Sequence, residues 1–173
     1  MPTPTISLRP ALETDCSSLA ALSIEVWLNS YIREGISSFF ADYALAEFTA
    51  DKFRRILSQP SELLLVSQNC IGIDGFIRVR VGQKSPAGSH SETEIATLYV
   101  QPRHQGKGIG LCLLRAALDH CQSSHWAPPW LAVNSENTKA ITFYQRHGFT
   151  PVGQTHFKIQ DTNYLNEVLQ YAP

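Results

Sequence analysis

The sequence predicts an α/β (α+β) domain with a central mixed sheet of about seven strands and about four helices on its faces. Three observations predict it. Apolar residues switch between the spacing of a strand and that of a helix in the order β-α-α-β-β-β-α-β-α-β-β. Between a strand pattern ending at Val100 and a helical pattern beginning near Ile109 lies Gln105-Gly106-Lys107-Gly108-Ile109-Gly110, a strand-loop-helix junction. The 173 residues hold no repeat, linker or low-complexity tract, so they are expected to form one domain, 1–173, around a single large core.

Ile6 to Arg9 reads as a short first strand, and Glu13-Thr14-Asp15 offers capping and acidic residues for the helix after it. Leu19, Leu22, Val26 and Ile32 give that helix its apolar face. Trp27 and Tyr31, one turn apart on it, are either core aromatics or the border of an acceptor pocket. A second helix is expected from Phe39 to Leu57, closed by Pro60, and the polar loop from Glu34 to Ser38 forms a rim between the two.

Strand signals follow. Leu63 to Val66 and Gly72 to Val81 form a hairpin turning through Asn69 to Ile71. Gly82 to Ser91 has the composition of a mobile surface loop, and Glu92 to Val100 is the next strand. Beyond the glycine turn, Ile109, Leu113, Ala117 and Cys121 mark a helix that covers the sheet. Pro128-Pro129 break the chain, Trp130 to Val133 form a strand, and Asn134 to Asn137 cap a helix from Thr138 to His147 that ends at Gly148. Phe149 to Val152 and Tyr164 to Leu169 close the chain as strands, with polar Gln160 to Asn163 between them.

A formal charge of −1 with 43% hydrophobic residues describes an ordinary globular chain and gives no general electrostatic case for nucleic acid. Met1-Pro2-Thr3-Pro4-Thr5 lacks the basic and apolar regions of a signal peptide, and no apolar run approaches the ~20 residues of a membrane span. The expected location is therefore the cytoplasm, with no membrane partner. Cys16, Cys70, Cys112 and Cys121 show no CxxC pairing and lie in apolar surroundings, which reads as reduced core thiols rather than zinc ligands or disulfides. His90, His120, His125, His147 and His156 have no ligand spacing, so no metal is expected.

The glycine turn carries the first chemical signal. Three glycines at alternate positions permit positive φ and close approach of a ligand to the backbone. The first turn of the following helix offers unsatisfied N–H groups and a partial positive charge, a natural seat for phosphate oxygens. A dinucleotide fingerprint would need glycine at 111 or 113, where leucines stand, and a P-loop would need Ser or Thr where Gly108 follows Lys107. What remains is Gln/Arg-x-x-Gly-x-Gly/Ala opening a helix. At Gln105, Gly108 and Gly110 it resembles the acyl-CoA-binding signature of the GCN5-related N-acetyltransferase (GNAT) superfamily.

A second stretch agrees with the first. Asn137, Ala140, Phe143, Tyr144, Gly148 and Phe149 match the superfamily's Asn-x-x-Ala-x-x-Phe-Tyr-x-x-x-Gly-Phe motif. Ala140 and Tyr144 share a helix face that Asn137 begins, so a ligand lying along it meets an amide, a small residue and a phenol in turn. The resemblance covers nearly the whole chain and implies a single domain of this kind with a mostly antiparallel sheet. It assigns the cofactor contacts to Leu98, Tyr99, Val100, Gln105, Gly106, Lys107, Gly108, Ile109, Gly110, Asn137 and Tyr144.

Acyl transfer from a thioester to an amine sets three tasks. An ammonium with pKa near ~10 must lose a proton, negative charge on the carbonyl oxygen must be stabilised, and the thiolate must be protonated. Glu94, at the position where some superfamily members carry a general-base glutamate, is the candidate for the first task, directly or through water. Strand alternation places it with Glu92, Ala96, Leu98 and Val100. A carboxylate on a mostly apolar strand face needs a partner or a task. Glu92, nearer the loop, is the runner-up, and both are also readable as solvated charges at a strand end. Backbone N–H groups of Leu98 to Val100 are candidates for the carbonyl oxygen if this strand separates from the one starting at Trp130. Tyr144, as catalytic acid, has a reference pKa of ~10 against ~8.5 for the thiol. Lys107, with Arg103 and His104 upstream, brings positive charge to the turn.

The resemblance implies an acyltransferase that moves acetyl from acetyl-CoA, its co-substrate, to a primary amine of a small molecule or peptide, by direct attack in a ternary complex. Two alternatives stay open: a non-catalytic acyl-CoA-binding regulatory domain, and a protein or peptide N-acetyltransferase module. A homodimer is compatible with either, and the acceptor itself is not written in the motifs.

Overall fold

The computed structural model describes residues 6–173. The reading of Met1 to Thr5 as no signal peptide therefore lies outside the described residues. The elements run β1 (Ser7–Pro10), α1 (Cys16–Tyr31), α2 (Ser38–Glu47), α3 (Ala50–Leu57), β2 (Glu62–Gln68), β3 (Ile73–Val81), β4 (Thr93–Val100), α4 (Ile109–Ser123), β5 (Trp130–Asn134), α5 (Thr138–Arg146), β6 (Phe149–Ile159) and β7 (Thr162–Tyr171). Short 3-10 turns occupy Glu13–Asp15 and Pro102–His104. The seven strands form a mixed sheet in the order β1-β2-β3-β4-β5-β7-β6, with β4 and β5 parallel. This is the fold class the sequence predicts.

One expected helix is two. The apolar spacing of Phe39 to Leu57 runs through Phe48 and Thr49, but Thr49 Oγ1 accepts the Lys52 N–H at 3.3 Å and so caps a new helix, α3. Asp51 in its first turn favours the positive end of the helix. The cap outweighs continuity of the apolar pattern.

The chain divides into two compact units, Met1–Arg78 with Thr97–Ala117 and Val79–Ala96 with Leu118–Pro173. In the first, Leu19, Leu22 and Val26 of α1 pack with Phe53 of α3, Leu64 and Val66 of β2, and Phe76 of β3. Phe53 and Phe76 meet edge to face at 5.8 Å. Each such side chain contributes about 1.5–3 kcal/mol when fully buried. Trp27 is 4% exposed and lies against Tyr31 at 4.7 Å and Tyr43 at 4.8 Å, a packed aromatic cluster. Burial, with Glu47 and then Tyr31 adding to it, pushes the Tyr43 phenol up to about 12.

In the second unit β6 and β7 are longer than expected. They pair from Phe149–Tyr171 to Ile159–Thr162, because polar residues such as Gln154, His156 and Lys158 alternate along β6 without interrupting the ladder. The segment 82–91, whose composition is that of a mobile surface loop, is held by hydrogen bonds and packing. Ser89 Oγ donates to Gln170 Oε1 at 2.9 Å, Ser91 Oγ donates to the Pro128 carbonyl at 2.7 Å, and Ala87 packs at Gly153 beside a register shift in β6.

Cys16 and Cys121 are buried thiols, and burial pushes Cys121 up to about 11. Cys70, expected in apolar surroundings, is instead exposed at the β2–β3 turn, where Asn69 Oδ1 accepts the N–H groups of Ile71 and Gly72. The hairpin's local hydrogen bonds, not a core, place it.

Candidate functional site

In the first unit, β4 leads through the Pro102–His104 turn into the glycine stretch. Gln105 Nε2 donates to the Val100 carbonyl at 3.2 Å and His104 N to the Gln101 carbonyl at 2.8 Å, so the segment before the glycines is closed on itself. Gly106 and Gly108 have φ of 76° and 85°, the left-handed region that other residues adopt at a cost. A Cβ added at Gly106 would meet nothing within 4 Å, so the space outside the backbone there is open.

The first hydrogen bond of α4 runs from Cys112 N to the Gly108 carbonyl at 3.0 Å. The N–H groups of Ile109, Gly110 and Leu111 therefore have no carbonyl four residues back to bond. Arg103 and Lys107 are exposed, and neither makes an ion pair among the described residues. Open space, unused amides, a helix N-terminus and free cations together fit a diphosphate.

Behind the turn, Ile109 is buried against Gly75 on β3, where a Cβ would stand 3.1 Å from Ile109 Cγ2 and 3.0 Å from the Tyr99 carbonyl. Gly75 lets α4 and β4 approach the strand this closely. In the sequence Gly75 is one residue of the strand expected over Gly72 to Val81, and nothing local marks what packs on it. Tyr99 stacks edge-on to Phe76 at 5.7 Å and so belongs in part to the core, while Leu98 and Val100 are half-buried.

In the second unit, the side chain of Glu94 is 12% exposed, and its Oε2 accepts from Arg80 Nε on β3. That guanidinium is the partner a carboxylate on such a face needs, and the sequence did not indicate it. Glu92, the runner-up, is 53% exposed with Lys84 at 4.0 Å, a solvated surface charge. β4 and β5 pair at the single rung Glu94–Trp130, and β4 runs on beyond it to Val100.

Asn137 N-caps α5, its Oδ1 accepting the Ala140 N–H at 3.1 Å, which leaves its Nδ2 as the group available to a ligand. Tyr144 is 8% exposed, with Phe143 and Phe149 at ring distances of 5.2 and 5.5 Å. Its hydroxyl makes no hydrogen bond among the described residues, and burial holds the phenol well above its usual range. A depression of ≈ 360 Å³ on α5, lined by Thr138, Lys139, Thr142, Phe143, Arg146 and His147, includes neither Asn137 nor Tyr144. No cluster of three or more His, Cys, Asp and Glu side chains suited to a metal occurs among the described residues.

The model of the acetyltransferase (GNAT) family matches residues 27–149. An uncharacterized N-acetyltransferase of Mycobacterium bovis is 24% identical over 148 residues, covering 84% of this chain and 90% of its own. Among solved structures, the PaiA N-acetyltransferase of Thermoplasma acidophilum in complex with coenzyme A aligns with a TM-score of 0.74 at 20% identity, over 94% of this chain and 98% of that one. YncA of Salmonella typhimurium with its cofactor acetyl-CoA aligns with a TM-score of 0.67 at 21% identity, over 98% of each. Likenesses at these identities show a shared fold.

Proposed function

The chain belongs to the acetyltransferase (GNAT) family, and from that premise we propose that it transfers acetyl from acetyl-CoA to a primary amine, of a small molecule or a peptide, by direct attack in a ternary complex. The observation that carries this reading is the turn at Gly106 and Gly108, with positive φ, open space and the unbonded amides of α4. The residues 1–173 act as one N-acetyltransferase domain in this reading, and its location is the cytoplasm.

When bound, acetyl-CoA supplies a thioester whose carbonyl carbon accepts a neutral amine and whose sulfur departs. The amides of Gly106 to Gly110, with Gln105 and Lys107, hold the diphosphate. Asn137 Nδ2 and the face of α5 that carries Ala140 contact the arm of the cofactor. Glu94, directly or through water, takes the proton that the ammonium must lose before its nitrogen can attack. The N–H groups of Leu98 to Val100 stabilise negative charge on the carbonyl oxygen. The single rung between β4 and β5 supports that role, since a strand paired along its length would have no amide to offer. As the new C–N bond forms and the C–S bond breaks, Tyr144 gives its hydroxyl proton to the sulfur. The proton taken up by Glu94, and the second proton that the nitrogen releases as it becomes an amide, return to solvent, and one from solvent restores the phenol.

Titration calorimetry with coenzyme A tests the binding part. Gly108→Val is expected to abolish the heat, by placing a branched side chain where an anion must approach the amides, and unchanged affinity refutes the turn assignment. Thiol release across an amine panel tests catalysis, and binding without release under any amine would favour a non-catalytic acyl-CoA-binding domain.

A further inference from the structure

Asp74 on β3 stands between Ile73 and Gly75 and is 6% exposed, a carboxylate in a largely apolar strand. Its main-chain carbonyl accepts the Gln101 N–H at 2.9 Å. Its Oδ2 accepts from Asn69 Nδ2 at 3.1 Å and lies 3.3 Å from His104 Nδ1. Its Oδ1 is sealed from solvent with no hydrogen-bond partner. A buried carboxylate oxygen left without a donor is costly, and a plain structural tether for a turn does not require the charge.

The two contacts to Gln101 and His104 fall at the two ends of the short turn that hands the chain from β4 to Gly106. From the other side, Gln101 Nε2 donates to Glu25 Oε2 on α1 at 3.0 Å. The next residues are the opposite of rigid, because Gly106 and Gly108 carry no side chain to restrict them. A cradle of amides binds an anion well only if its geometry is set beforehand, since any ordering left until binding is subtracted from affinity.

We propose that Asp74 is the positioning residue of the diphosphate turn and acts through His104. By fixing Gln101 and His104 it sets the path on which the amides of Gly106 to Gly110 converge. The proposal rests on the reading of that turn as the coenzyme A site. Asp74 touches no ligand in it, and the chemistry at Glu94 and Tyr144 proceeds without it.

The test is titration calorimetry of coenzyme A into the wild type, Asp74→Ala, His104→Gln, the double variant, Asp74→Asn and Gly108→Val, with steady-state kinetics beside it. Asp74→Ala and His104→Gln are each expected to raise the Kd about tenfold, and the double variant no further, because one contact is lost in all three. KM for acetyl-CoA should rise in step, with kcat at saturation and KM for the amine within about twofold of wild type. Asp74→Asn still offers an amide oxygen to His104 and should recover most of the loss.

If Gly108→Val abolishes binding while Asp74→Ala and His104→Gln leave the Kd within twofold, Asp74 has no positioning role. Additive effects in the double variant, or losses in kcat and both KM values that track the melting temperature, likewise overturn it. If Asp74→Ala does not fold, His104→Gln alone carries the test. Should Gly108→Val leave the affinity unchanged, the turn assignment falls, and this proposal with it.

Discussion

Glu94 on β4 and Arg80 on β3 are paired, Oε2 of the carboxylate accepting from Nε of the guanidinium. The side chains are 12% and 35% exposed, so the pair is shielded from water on the carboxylate side more than on the other. Oε1 makes no hydrogen bond among the described residues. Arg80 thus fixes one oxygen and leaves the second open, which is compatible with the proposed role of Glu94 as general base.

Replacing Glu94 by Gln keeps the shape and removes the carboxylate that we propose as the base. The expected result is a fall in kcat/KM of roughly 10²–10⁴ with coenzyme A affinity unchanged, read from steady-state rates and calorimetry. Arg80→Gln keeps the Glu94 carboxylate but frees it to rotate. About a tenfold loss in kcat/KM is expected, with a stability cost of about 1–2 kcal/mol in urea denaturation, because a shielded carboxylate loses its donor. Full activity in Glu94→Gln would move the base to water or another group.

Gly148 follows α5 at φ 91°, and a Cβ there would stand 2.9 Å from Tyr171 Cε2. The Tyr171 ring in turn lies 5.2 Å from Phe149. Gly148→Ala therefore combines left-handed strain of about 1–2 kcal/mol with displacement of a packed ring. A total loss of about 2–3 kcal/mol in the urea midpoint is expected. A loss below about 1 kcal/mol would mean that the ring moves freely.

What was legible in the chain was what is written over a few consecutive residues. The turn at 105–110, the Asn137 cap and the Gly148 stop depend on φ, on a short side chain reaching its own backbone, or on a missing Cβ, and each reads directly from residue type. The Thr49 cap was equally local, but an apolar spacing that ran across it concealed it. Arg80 behind Glu94, Asp74 behind His104 and Gly75 behind Ile109 were not legible. Each depends on which strand lies beside which, and 13, 29 and 33 residues of intervening chain carry no mark of that. The motifs mark local backbone features, and tertiary pairing supplies the groups that stand behind them.

Asp15 is gripped by Arg9 through Nη1–Oδ2 at 2.7 Å and Nη2–Oδ1 at 2.9 Å, and Oδ2 also accepts the Leu12 N–H at 2.8 Å. The Arg9 hydrogen bonds are the main reason its carboxyl is held below the usual range, against an opposing push from burial. The folded state binds this proton less readily than the unfolded chain, so the stabilisation is present above about pH 4 and is lost as the pH falls through the folded value. Asp15→Asn should cost about 1–2 kcal/mol at pH 7, and its urea midpoint should converge on that of the wild type as the pH falls through the folded value of Asp15. Parallel pH curves for the two proteins would rule out this origin.

Tyr144 combines a ring fixed between Phe143 and Phe149 with a hydroxyl that has no hydrogen-bond partner among the described residues. Burial holds its phenol well above the ordinary value of about 10, so the O–H keeps its proton through the neutral and mildly alkaline range. As a donor to sulfur it should therefore impose no alkaline fall in kcat below about pH 10. Tyr144→Phe keeps the ring and deletes only the proton, so kcat should drop by roughly 10²-fold while the coenzyme A Kd stays within about threefold. Stability should not suffer at neutral pH, since no hydrogen bond is broken. Above about pH 10 the unfolded chain ionises this phenol before the folded one does, so wild-type stability declines as pH rises and the variant lacks that decline. Loss of the alkaline slope together with undiminished turnover would leave Tyr144 a buried phenol with no part in the chemistry, and the proton for the sulfur would have to come from solvent.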